Sequence, residues 1–297
     1  MTGASRPDTR LAPHPGGRDG TATGTAAIAE ALTRLGASGR PVCVHASLRS
    51  FGLLADGSDT VIDAVLEVGA TLLVPTSSFR TCMAPRPAGA IRSYNAEDDG
   101  SIPGTRPATP YSRHGVFVDP AMGALPARVL RRAGRVRGDH PLSSFTALGP
   151  SAAELVAGQR PLNVYAPLRA LAQRGGLVIA MGVGLDTITL IHLAERYAGL
   201  RLLRRWAWTG YGVTECEHGG CSRGFERLAG TVAEIETVVT VGASTWRVWL
   251  ATDLLGRVTD ALKRDPSAGT CSTPRCERCR DLVAAARAGY VYSSESP

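Results

Sequence analysis

Two short apolar runs, PVCVHASL from Pro41 and TLLVPT from Thr71, flank a stretch with helical periodicity, SDTVIDAVLEVG, and this alternation constrains the fold more than anything else in the chain. Each run reads as a buried strand, and the stretch between them, which Ser58 or Asp59 can cap, reads as an amphipathic helix. The same grammar continues on both sides. AAIAEALTRLGA is a helix closed by glycine, and GLVIAMGVG is a buried strand running into the helix TITLIHLAERYAG. Shorter helices are expected at 124–133, 152–157 and 167–174, and ETVVTVGASTWRVWL reads as a hairpin followed by helices at 253–264 and 280–288. The expectation is an α/β fold: a single domain with a central mixed β-sheet flanked by helices, and a C-terminal hairpin and helix extending the same sheet. Residues 1–24, rich in Gly, Pro, Thr and Arg, are expected to form a disordered tail, with the domain spanning 25–297.

Composition excludes several classes. No apolar run approaches the roughly 20 residues of a membrane span, and the first residues lack a signal peptide's apolar core, so a cytoplasmic protein without membrane association is expected. The 33 Lys+Arg exceed the 26 Asp+Glu by seven. Arg128, Arg131, Arg132, Arg135 and Arg137 form the densest basic run, but no aromatic platform or helix-turn-helix pattern accompanies it. A solvated helix end is the expectation, with no nucleic acid.

Several residues could carry chemistry. His192 and Glu195 are three apart on a helix and so share a face, which suits a general base and its orienting carboxylate. Spacing alone also fits a structural pair. Asp186, at the Gly-Val-Gly-Leu-Asp junction between strand and helix, reads either as a helix cap or as a ligand-binding carboxylate. That junction is the first candidate ligand site, because glycines there allow close approach to free backbone N–H groups. His140 lies in Asp-His-Pro, whose proline holds the backbone extended. His45 lies at the carboxyl end of a strand, where α/β proteins bind ligands. Cys43 and Cys82 read as buried small residues.

Five cysteines crowd the last third: Cys216, Cys221, Cys271, Cys276 and Cys279. In a chain with no secretion signal they point to a closed structural zinc site within 216–279. Cys216, Cys221, Cys276 and Cys279 are the expected ligands, with Cys271 or His218 as substitutes.

Taken in order, VHASLRSFGLLADGSDTVIDAVLE, TLLVPTSSF, RGDHPLSSFTALGPSAAELVAG and GGLVIAMGVGLDTITLIHLAERYAG resemble the aminoglycoside 3-N-acetyltransferase family over roughly residues 25–230. The resemblance implies acetyl transfer from acetyl-CoA to an amine, the 3-amino group of a deoxystreptamine aminoglycoside, conferring antibiotic resistance. It implies His192 as general base, with Glu195 and His140 in catalytic roles. Asp186, Glu195 and Ser144 are implied to bind the cationic acceptor, and Glu97, Asp98 and Asp99 could add to them. His45, Ser47, Leu48, Thr76 and Ser77 are implied as the cofactor wall. The partners implied are acetyl-CoA and a small amine, in a monomer or homodimer. Two other readings stay open: acylation of another amine in nucleoside, phosphonate or peptide antibiotic biosynthesis, and a zinc-stabilised binding protein without catalysis.

Overall fold

The computed structural model describes residues 22–85 and 109–287. Its first layer is made by α1 (Thr25–Arg34), β1 (Pro41–Ala46), α2 (Ser58–Glu67) and β2 (Thr71–Pro75). A one-turn helix, α3 (Phe79–Cys82), leads to the short β3 (Met83–Ala84), and beyond residue 108 come α4 (Ala124–Val129), β4 (Val136–Arg137) and β5 (Phe145–Leu148). Next follow α5 (Ala152–Val156), α6 (Ala166–Gln173), β6 (Leu177–Met181), α7 (Leu190–Tyr197), β7 (Leu203–Thr209) and β8 (Gly212–His218). The chain closes with α8 (Ala229–Val232), β9 (Thr237–Val241), β10 (Ser244–Leu250), α9 (Ala251–Arg264) and α10 (Glu277–Arg287).

The main sheet runs β4-β5-β2-β1-β6-β10-β9. Its centre, β2-β1-β6, is parallel, and the strands on either side pair antiparallel. The parallel strands are covered on both faces, which is why they read as unbroken apolar runs. Side-chain alternation sends Val42 and Val44 into the core under α1, α2 and α4, and sends Cys43 into the core under α5, α6, α7 and α9. The β9–β10 hairpin extends this sheet through β10, as the alternating pattern of its sequence implies. The β7–β8 pair does not join it. These strands form a second, three-stranded sheet with β3, because β7 buries Leu203, Ala207 and, on the other face, Trp206 at the end of the main sheet instead of along its edge.

Three local expectations change. Neither Ser58 nor Asp59 caps α2, whose N-cap is Gly57; Asp59 instead receives Arg128 and Arg132. Arg132 also reaches Asp63 at 2.5 Å, and Arg137 is buried, so much of the basic run is spent inside the chain. Residues 22–24 belong to the folded part, since Thr23 is buried and its N–H donates to the Leu53 carbonyl at 2.9 Å. Glu97, Asp98 and Asp99 lie outside the described residues. None of the described helices is long and apolar enough to cross a membrane.

Candidate active site

The carboxyl ends of β1, β2 and β6 meet along one edge, where loops leave the parallel strands and where α/β folds place ligands. His45 ends the buried part of β1 on the face that carries α7. Its Nε2 lies 3.6 Å from the Cys43 sulfur, and burial lowers its pKa to about 4, so it is a neutral group beneath the edge. Ser47 and Leu48 follow it, half-buried, and the Ser47 carbonyl accepts both the N–H and the hydroxyl of Ser50. The Ser50 hydroxyl in turn meets that of Ser244 at 2.6 Å, tying this turn to the start of β10.

After β2, Thr76 has no exposure, and its hydroxyl contacts Ser144 and Thr146 at 3.1 and 2.9 Å. It therefore knits β2 to β5 and cannot face a cofactor. Ser144 is equally closed: it donates to the Thr76 carbonyl at 2.8 Å and accepts from Arg137 Nε at 2.9 Å. That removes it from the substrate-facing set. Ser77 stays half-buried at the edge, donating to the Leu142 carbonyl. The buried Arg137 guanidinium also bonds the carbonyls of Gly115, Thr76 and Phe117, which satisfies a cation that burial would otherwise make costly.

His192 lies on α7 with its Nδ1 2.6 Å from Glu195 Oε2. The helix has a strongly apolar face, which carries His192 and Glu195 inward with Leu190, Ile191, Leu193 and Ala194. Glu195 is only 1 % exposed, so it sits behind the imidazole and cannot also contact an acceptor. Tyr165 stacks beside the His192 ring, and Phe225 meets its edge with centroids 4.9 Å apart. Gly219 completes the enclosure: a Cβ there would overlap the Tyr165 hydroxyl and come within 2.7 Å of His192 Cδ2. Burial, then the charges of Glu195 and Glu217, push the Tyr165 phenol well above its ordinary pKa, so it remains a neutral donor.

His140 is a fixing residue. Its Nδ1 accepts the N–H groups of Leu142 and Ser143, and its Nε2 donates to the Pro161 carbonyl. Both ring nitrogens are engaged, and burial lowers its pKa to about 4, so no lone pair or proton remains for catalysis. The sequence missed its neighbour Ser143, whose hydroxyl meets His218 Nδ1 at 3.1 Å while Phe79 packs on the His218 ring. Only the HPxxS spacing could have drawn attention there. Behind these groups the buried Glu217 pairs with Arg196 and Arg204, anchoring β8 to α7.

The glycine-rich junction after β6 is filled by the protein itself. Gly182, at φ +65°, leaves room for Ser50, and the Leu185 N–H donates to the Glu226 carboxylate. The backbone anion site expected there is thus taken by the chain's own carboxylate. Asp186 lies in a 3-10 turn and caps no helix. It is exposed, and the close approach of both carboxylates to Gly184 places it beside Glu226.

The cysteines separate. Cys221, Cys271, Cys276 and Cys279 bring their sulfurs within 4.8 Å of one another. Cys216 is buried elsewhere, among Cys82, Tyr111, Leu142 and Ala207. It faces the small sheet because β8 still continues there, and the chain turns toward the other sulfurs only after His218. His218 is engaged with Ser143, so Cys271 takes the place expected of Cys216.

A family model for aminoglycoside 3-N-acetyltransferases matches residues 43–218, more than half of the chain and the whole stretch from β1 to β8. The chain belongs to the aminoglycoside 3-N-acetyltransferase family. Among curated relatives it is 34% identical over 172 residues to aminoglycoside N(3)-acetyltransferase IX of Micromonospora chalcea, covering 56% of this chain and 59% of that one. It is 33% identical over 191 residues to aminoglycoside N(3)-acetyltransferase VII of Streptomyces paromomycinus, covering 61% and 62%. The chain therefore matches about three fifths of the length of these relatives. Among solved structures, AAC(3)-IVa in complex with a gentamicin superposes with a TM-score of 0.69 at 22% identity, over 91% of this chain and all of that one. AAC-IIIb with CoASH gives 0.66 at 24% identity, over 85% and 100%. These two establish the shared fold.

Proposed function

We propose that this protein acetylates an amino group of an aminoglycoside, the 3-amino group of a deoxystreptamine ring, using acetyl-CoA as donor, and so confers antibiotic resistance. The His192–Glu195 pair, buried in a protein-walled niche within the family-matched stretch, carries the reading. With Nδ1–H directed at Glu195, the Nε2 lone pair is the one left to accept a proton. A neutral acceptor amine attacks the thioester carbonyl and forms the C–N bond. His192 Nε2 removes the proton that the attacking nitrogen must lose. The C–S bond then breaks, the coenzyme leaves as a thiolate, and the proton returns from His192 to give CoASH and the amide. Glu195 stabilises the imidazolium between these steps, as the carboxylate does in a Ser-His-Asp triad.

On the donor side, Ser47, Leu48 and Ser77 at the ends of β1 and β2 are the groups we assign to acetyl-CoA, with His45 beneath them. On the acceptor side we assign Asp186 and add Glu226, two exposed carboxylates that give a polycation a local negative field within a chain of net charge +7. The catalytic pair and its walls come from one chain, so the reading requires no second copy. It places the protein in the cytoplasm, where acetyl-CoA is available.

Thiol release from acetyl-CoA, followed with aminoglycosides, amino sugars and amino nucleosides as acceptors, tests the proposal. Release that depends on an aminoglycoside, with the product acetylated at the 3-amino group, is the expected result. Release with a different amine alone replaces the acceptor and keeps the chemistry. Silence with every amine overturns acetyl transfer.

A further inference from the structure

The four clustered cysteines come from three stretches of chain. Cys221 follows β8, Cys271 follows α9, and Cys276 and Cys279 open α10. A tetrahedral zinc with metal–sulfur bonds of about 2.3 Å has sulfur–sulfur edges of about 3.8 Å. Cys271 and Cys279 stand 3.7 Å apart, which fits such an edge and is far from the roughly 2.05 Å of a disulfide. The backbone around them is shaped for thiolates. The Cys271 N–H points at the Cys279 sulfur at 3.5 Å. Arg275 takes φ 57°, the one positive value at a non-glycine position among the described residues, and so turns the chain immediately before Cys276. Four thiolates around a divalent ion leave a charge of −2, and the Arg223 guanidinium 4.0 Å from the Cys276 sulfur offsets part of it.

We propose that Cys221, Cys271, Cys276 and Cys279 bind one zinc ion in a closed tetrahedral site, and that this ion holds the 219–225 segment against His192. The second half rests on His192 being the base of the proposed reaction; the first does not. The mechanical link is short. Gly219, which abuts the His192 ring, is two residues from Cys221, and Phe225, which packs on the same ring, is four residues beyond it. Between them Gly224 lies directly on the Gly269–Thr270 backbone, where a Cβ has no room, and Arg227 reaches the Thr270 carbonyl at 3.2 Å. Cys271 is the next residue. The metal would therefore join both sides of this backbone contact to α10, making two walls of the base depend on a bond network outside the core. A cavity of about 500 Å³ lined by Gly220–Arg223 and Cys276–Arg278 opens beside the cluster and gives metal or chelator a way in.

The test uses the full chain purified without added metal. Elemental analysis should give about one zinc per chain, and exchange with cobalt(II) should produce the intense visible bands of a tetrahedral cobalt thiolate. Cys276→Ser and Cys221→Ser should lose the metal, whereas Cys216→Ser should keep it. Because the first two variants can fail to fold, the wild-type protein is also stripped with a chelator and compared by hydrogen exchange. Stripping should raise exchange in 219–225 by on the order of tenfold, with Leu177–Met181 unchanged. A stable, zinc-free protein with four alkylatable thiols overturns the site, as does a mass lower by two hydrogens that marks a disulfide. Retention of zinc by Cys276→Ser overturns the ligand set. Exchange in 219–225 that ignores metal removal overturns the link to His192. None of these readouts depends on turnover, so they stand apart from the fate of the acetyltransferase reading.

Discussion

Replacing Glu195 by Gln removes one charge from behind the base and changes almost nothing else in volume. The carboxylate is 1 % exposed and accepts His192 Nδ1 at 2.6 Å, at the short end for a charge-assisted hydrogen bond. Such bonds contribute about 1.5–3 kcal/mol, and this one is strongest when His192 carries the extra proton of the transition state. At about 1.4 kcal/mol per tenfold, kcat should fall roughly 10- to 150-fold. The loss is larger, toward about 10⁴-fold, if the amide N–H turns toward Nδ1 and forces the proton onto Nε2. The KM values for acetyl-CoA and for the acceptor should change little, because the carboxylate is shielded from both by the imidazole. Steady-state thiol release measures all three constants, and circular dichroism checks that the variant is folded. A kcat within twofold of the parent, or an effect confined to the acceptor KM, would refute the assignment of Glu195 as the orienting partner.

Further expectations concern neighbouring residues. His192→Ala should lower turnover by about 10²–10⁴-fold with native-like folding, read from thiol release and thermal melting, and an unchanged rate removes it as the base. Gly219→Ala forces a methyl group against Tyr165 and His192 and should cost about 1–3 kcal/mol of stability together with most of the activity; a fully active variant would mean that the niche relaxes freely. Ser144→Ala leaves the buried Arg137 Nε without its acceptor and should lower stability by about 1–3 kcal/mol while leaving the acetyl-CoA KM unchanged, a split that a cofactor-binding serine would reverse. Burial holds His45 and His140 at pKa values of about 4 against 6.5 in the unfolded chain, so the unfolded state binds more protons between these values. Stability should be full above pH 6.5 and fall as the pH drops toward 4, by on the order of 3 kcal/mol per histidine; urea midpoints that stay flat from pH 7 to 5 contradict this.

The parallel strands were legible because burial on both faces leaves an unbroken apolar run, as in Leu72–Val74 and Leu177–Met181. The His192–Glu195 pair was legible for a related reason: a helix fixes the geometry of residues three apart. Polar residues buried by long-range contacts were not. Thr76 and Ser144 look like surface hydroxyls until partners 68 positions apart in sequence close on each other. His140 spends both nitrogens on a turn and on Pro161, which no local pattern announces. Cysteine spacing located the thiol-rich region but not its membership, because Cys216 still belongs to a strand while Cys221 has left it. The small sheet escaped for the same reason, since alternation identifies a strand but does not choose its neighbour.

The flanks of residues 86–108 both end on one strand. Ala84 pairs with Trp206 and Tyr111 with Thr209, three positions along β7 and so about 10 Å apart. Tyr111 is fastened further by its hydroxyl on the Gly138 carbonyl and by the Arg137 guanidinium over its ring. With entry and exit pinned this closely, the entropy of closing the intervening stretch rises only slowly with its length, by about 0.6 kcal/mol per doubling. Insertions, deletions and exchanges between these two anchors are therefore thermodynamically cheap. This is the part of the chain where evolution, or an engineer, can rewrite sequence with the least risk to the fold.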